Sequence, residues 1–68
     1  MGIQRYLGEE RFRHFLRMLD NSDLRIGQAF YAALPSEDQG RIIGTDADPF
    51  NSNDLDDVYA AIDFLLAV

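Results

Sequence analysis

The sequence predicts an all-α fold, a compact bundle of three main helices and one short one, and three observations carry that prediction. Apolar residues recur at helical spacing in two long stretches. Turn-forming residues and a proline punctuate the chain between the periodic segments. The composition, 47% apolar with five Phe and three Tyr in 68 residues, supplies a core for one small domain spanning residues 1–68. A chain this short buries only about 60% of the surface its unfolded form exposes. The compact stretch 23–34, with its cap, its glycine and its aromatic face, is the centre around which the rest is expected to organise.

In the first helix, near 9–20, Phe12, Phe15, Leu16 and Leu19 stand at i, i+3, i+4 and i+7, which marks one face of an α-helix. Arg11, Arg13, His14 and Arg17 fall mostly on the other side. Glu9 and Glu10 suit the positive end of the helix dipole and sit four residues before Arg13 and His14. Ile3 and Leu7 are also helically spaced, but Gly8 weakens any join to this helix.

Asp20-Asn21-Ser22-Asp23 is a turn, with Ser22 or Asp23 the expected N-cap of a second helix near 23–34. Ile26, Phe30, Ala33 and Leu34 form its buried stripe. Gly27 costs a helix about 1 kcal/mol relative to alanine, so its presence points to tight packing against another helix. Pro35 ends this helix. Ser36 followed by Gln39 has the capping-box spacing, predicting a short helix over 36–43 with Ile42 and Ile43 as anchors and Gly44 as its C-terminal glycine.

Residues 45–53 read as loop, with Phe50 expected to plug into the core. Ser52 or Asn53 is the expected cap of the last helix, near 53–67. Its Leu55, Val58, Tyr59, Ile62, Leu65 and Leu66 give the strongest periodicity in the chain. The predicted core is therefore Phe12, Phe15, Leu16, Leu19, Ile26, Phe30, Leu34, Phe50, Leu55, Val58, Tyr59, Ile62 and Leu66.

Charge divides the chain. The net charge is −6, with +1 in residues 1–34 and −7 in residues 35–68, and there is no lysine. An acidic chain repels phosphate backbones, which argues against direct nucleic-acid binding. No apolar run approaches the ~20 residues of a membrane span. The N-terminal residues lack the apolar core of a secretory signal, and Tyr6 stands where a myristoylation signal has Ser or Thr. The absence of cysteine fits a reducing compartment. A cytoplasmic protein is expected.

Aligned as an EF-hand, Asp46, Asp48, Asp54 and Asp57 take positions one, three, nine and twelve. Phe50 then replaces a ligand and Asn51 the essential glycine, so turns and caps explain these aspartates better than calcium does. His14 is the only histidine, and no nucleophile has a reason to meet it. No catalytic, cofactor or metal residue is assigned, and a non-enzymatic protein is expected. Arg25, beside the cap, is placed to reach Asp46, Asp48 or Asp54, or a partner together with Gln28 one turn on.

Asp23-Leu24-Arg25-Ile26-Gly27-Gln28, then Ala33-Leu34, then Asp48-Pro49-Phe50 with Asp54-Leu55, resembles a widespread group of small bacterial and phage proteins of unknown function. That group shows D-L-R-x-G-Q opening a second helix and D-P-F-Y before an acidic segment and a last amphipathic helix. The resemblance spans residues 9–66, and the segment 36–45 is similar to phage-type members from actinobacterial hosts. This chain departs from the pattern with Ala32 for asparagine, Asn51 for tyrosine and Asn53 for an acid. The resemblance implies a fold and a phage source, in which case the location is the host-cell cytoplasm; it implies no activity.

The functional expectation is a small acidic protein that binds an unidentified host protein, as a phage-encoded modulator or a nucleic-acid mimic. Arg25, Gln28, Asp46, Asp48, Asp54 and Asp57 are the candidate partner-binding residues. The competing class is a self-assembling homodimer that uses Ala60, Ala61, Phe64 and Val68 of the last helix.

Overall fold

In the computed structural model, which describes residues 2–20 and 23–68, the chain is all-α. Its helices are α1 (Ile3–Leu7), α2 (Glu9–Asp20), α3 (Ile26–Ala33), α4 (Ser36–Ile42) and α5 (Leu55–Ala67). The Cα radius of gyration is 10.7 Å, close to the ~11 Å expected of a compact chain this long. α3 lies at the centre, against α2 on one side and α5 on the other, while α1 closes over α2 and α5, and α4 packs on α5.

Residues 3–7 form a helix of their own because Gly8 adopts φ +85°, a conformation that side-chain-bearing residues rarely take. Gly8 joins two helices by donating its N–H to the Gln4 carbonyl and offering its own carbonyl to the Phe12 N–H, at 2.9 Å each. Ile3 and Leu7 are thereby turned inward and buried. Tyr6 fastens α1 to α4: its hydroxyl donates to Asp38 Oδ2 at 3.0 Å. Burial, and then the Asp38 carboxylate, push the Tyr6 phenol up from 10.0 to about 12, against a smaller opposing pull from Arg41.

That shift has a sign. The folded state holds the Tyr6 proton more tightly than the unfolded chain, so its contribution is full below pH 10 and is lost as the pH climbs through 12. Urea midpoints measured across that interval should fall for the native chain, and Tyr6→Phe should remove part of the fall. An identical alkaline decline in both proteins would show that this hydroxyl is not engaged.

The core consists of Ile3, Leu7, Phe15, Ala29, Phe30, Ala33, Leu34, Ile42, Val58, Ala61, Ile62 and Leu65. Phe30 is 0% exposed, with its ring edge-on to Phe15 at a centroid distance of 6.2 Å. Phe12, Leu19 and Ile26 are partly buried against this cluster. Five residues expected inside are not: Leu16, Phe50, Leu55, Tyr59 and Leu66 are all exposed. On α5 the buried arc is Val58, Ala61, Ile62 and Leu65, turned from the Leu55–Tyr59–Leu66 line by roughly 70–90° at 100° per residue. The turn lets Ala61 admit a close neighbour. Ala61 therefore belongs to the core and Phe64 is half-buried, while Ala60 and Val68, the other two residues of the expected dimer seam, stay exposed.

The helix caps also differ from the expected ones. α3 begins at Ile26, after Arg25 in the N-cap position; Asp23 lies outside the helix, and Ser22 lies outside the described residues. α4 begins at Ser36 behind Pro35, so Ser36 is its first helical residue and not its cap. Gln39 is spent elsewhere: its amide donates to the Tyr31 and Leu34 carbonyls at 2.8 and 3.3 Å, closing the C-terminal end of α3. Ile42 is fully buried, Ile43 is 60% exposed, and Gly44 follows with φ +76° as expected. Asp54, rather than Ser52 or Asn53, caps α5 by accepting the Asp56 N–H at 2.9 Å.

Candidate functional site

The residues singled out in the sequence meet where the 44–54 turn docks on the start of α3. A helix leaves its first four N–H groups without partners, and Arg25, having only donors, cannot cap them with its side chain. Three are satisfied all the same, one from within α3 and two from the turn. Gln28 Oε1 reaches back to the Arg25 N–H at 3.0 Å, Asn53 Oδ1 accepts the Ile26 N–H at 3.2 Å, and the Ser52 carbonyl accepts the Gly27 N–H at 2.9 Å. The turn therefore caps a helix more than twenty residues away.

The contact is close enough to dictate the residue at 27. A Cβ there would lie 1.6 Å from the Pro49 carbonyl oxygen and 2.6 Å from its carbon. The tight approach implied by Gly27 exists, but its partner is loop backbone and not a helix. Pro49, immediately beside it, is among the most deeply buried side chains. The Arg25 guanidinium completes the clasp, with Nη1 donating to the Asn51 carbonyl at 2.7 Å. It bonds to that backbone oxygen instead of the expected Asp46, Asp48 or Asp54.

The aspartates are mostly committed to the turn. Asp48 accepts the Gly44 N–H on one oxygen and the Phe50 N–H on the other, each at 3.0 Å. Asp54 caps α5, and Asp57 accepts the Ser52 hydroxyl. Asp46 points to solvent. Among the described residues, no set of three or more His, Asp and Glu side chains is arranged to hold a metal ion. Among them, too, no helix is long and apolar enough to cross a membrane. Arg25, Gln28, Asp48, Asp54 and Asp57 are each hydrogen-bonded within the chain, around the turn and the helix ends it joins.

What this turn presents is apolar. Phe50, expected in the core, is 40% exposed; Pro49 takes the interior place. The Phe50 ring stands edge-on to Tyr31 at 5.4 Å. Together with Ile43, Asp48 and Asn51 the two rings line a cleft of about 190 Å³, rimmed by carboxylate. Comparisons with protein-family models, curated proteins and solved structures gave no match. The function must therefore be argued from this surface. Sequence reading missed Ile43 and Tyr31 as site residues. The signal for Ile43 was its place directly after a buried isoleucine at a helix end, where two adjacent side chains cannot both face inward.

Proposed function

We propose that this chain is a non-enzymatic protein-binding protein, a phage-encoded modulator of a host factor, and that it docks through the Tyr31–Ile43–Phe50 cleft. The observation that carries this reading is the pair Ile43 and Phe50, left exposed side by side on a turn already fixed by internal hydrogen bonds. Aromatic and aliphatic anchors on a rigid base bind at low ordering cost. The surrounding half of the chain, from residue 35 onward, carries −7, so the partner is a protein whose basic surface bears an apolar side chain that fits the cleft. Complementary charge speeds such an encounter and makes it sensitive to salt. The phage source rests on the resemblance of the D-L-R-x-G-Q and D-P-F segments, and the acidic surface is compatible with mimicry of a nucleic acid.

The test is affinity capture from host lysate at low and high salt, using the native chain and Ile43→Ser. Ile43 is so exposed that the substitution should leave stability within about 0.5 kcal/mol. One basic host protein held by the native chain at low salt, lost at high salt and lost with Ile43→Ser is the expected result. Equal capture by both chains would refute the cleft as the docking site.

A second reading rests on a different observation. Leu55, Tyr59 and Leu66 form an exposed apolar line along α5, where a second copy would pack. Asp56 and Asp63 flank that line, and a two-fold dimer brings like charges together there. We therefore favour the first reading. A salt-insensitive dimer mass with no captured partner would reverse that preference.

A further inference from the structure

Another concave surface, between α2 and α3, is lined mainly by basic side chains. Glu10, Arg11, His14 and Arg17 of α2 face Ala32 and Ala33 of α3 across an open groove of about 400 Å³. Arg11, His14 and Arg17 recur every three residues, so they share one flank of α2. The two alanines opposite them are too small to fill the space between the helices.

Three of the six arginines have strong internal partners. Arg13 is bound to Glu9 and Arg41 to Glu37, each at 2.7 Å, and Arg25 holds the Asn51 carbonyl. The groove differs. Arg17 makes no hydrogen bond or ion pair among the described residues, and Arg11 reaches only the Ala33 carbonyl at a long 3.4 Å. A chain of net charge −6 thus keeps two guanidinium groups over one depression with a single carboxylate, Glu10, beside them. At physiological salt, charges beyond ~8 Å are largely screened, so the local balance governs what approaches.

We infer that this groove is an anion site for a phosphate group. Guanidinium forks match phosphate oxygens bidentately, and the His14 imidazole supplies a third donor on the same flank. The volume is larger than phosphate alone requires and falls at the small end of ligand sites, which run to ~300–1,000 Å³; a phosphate monoester would use the remainder.

The experiment is a ¹H–¹⁵N titration of the full chain with inorganic phosphate and, separately, with phenyl phosphate, each against sodium chloride at matched ionic strength. Phosphate should shift the signals of Arg11, His14, Arg17, Ala32 and Ala33 where chloride does not. Tighter binding of the ester would assign the site to a phosphorylated molecule, and equal binding to free phosphate. Arg17→Ala should weaken binding by about fivefold or more, as loss of a charge-assisted contact does. Arg13→Ala, already turned to Glu9, should change it by less than about twofold. Glu10→Gln should strengthen it by about threefold by removing the opposing charge, a gain that damage to the fold cannot produce. Shifts reproduced by chloride, or binding indifferent to both Arg17→Ala and Glu10→Gln, would overturn the assignment.

Discussion

Gly27→Ala is expected to lower the thermal midpoint steeply, although helix propensity alone argues for a rise. Alanine gains about 1 kcal/mol over glycine inside a helix. Here the added methyl would stand 1.6 Å from the Pro49 carbonyl oxygen and 3.0 Å from that of Ser52. These are backbone atoms, so no rotamer change relieves the clash, and the 49–52 turn must lift away. Lifting it breaks the Gly27–Ser52 and Ile26–Asn53 hydrogen bonds and exposes Pro49. Overpacking typically costs 1–3 kcal/mol. A net loss of about 3 kcal/mol lowers the midpoint by roughly 12–24 °C in a domain this small. Calorimetry checks it, and a raised midpoint would mean that the turn does not dock there.

Phe30→Ala is expected to unfold the chain at room temperature. The Phe30 side chain is fully buried at the centre of α3, edge-on to Phe15, and its truncation removes contacts that both flanking helices share. Buried aromatic truncations cost about 3–5 kcal/mol, while a domain of this length has only roughly 3–10 kcal/mol in all. Leu66→Ala is the matched control. Leu66 is 52% exposed, so its truncation should cost under about 1 kcal/mol. Circular dichroism during a urea titration separates the two, and comparable losses would invalidate the buried arc assigned to α5.

The helices were legible because their signals are local: the apolar spacing of α2 and α5, and the punctuation by Pro35 and Gly44. The direction each helix faces is a tertiary property and was less so. In α5 the periodic line includes both Ile62, which is buried, and Leu55, Tyr59 and Leu66, which are exposed. A repeat of 3.6 residues marks a broad arc, and only the neighbours decide which part of it is covered. Ala29, Ala33 and Ala61 carry little hydrophobic signal, yet they are buried because small side chains let α3 and α5 approach their neighbours.

Caps failed for a related reason. A serine, asparagine or glutamine near a helix end looks the same whether it serves its own helix or another. Asn53 caps α3 across the fold, Gln39 closes the far end of α3, and Ser52 serves both helices, its backbone carbonyl accepting from Gly27 and its hydroxyl bonding to Asp57 and the Asp54 N–H. The candidate site was found through Arg25, Gln28 and the aspartates, which hold the turn together. The apolar cleft it displays was overlooked because a lone Phe in a loop reads as a core plug, and here Pro49 fills that role.

The central claim is that the 44–54 turn is docked on the start of α3 and held there as a rigid base for the cleft. Amide hydrogen exchange at Ile26 and Gly27 tests it most directly. First-turn amides of a helix have no partners within the helix and ordinarily exchange fast. The account predicts that both exchange slowly, alongside the Phe30 amide, because Asn53 and Ser52 accept their hydrogen bonds. Exchange at the rate of an unstructured chain, with Phe30 still protected, would contradict it.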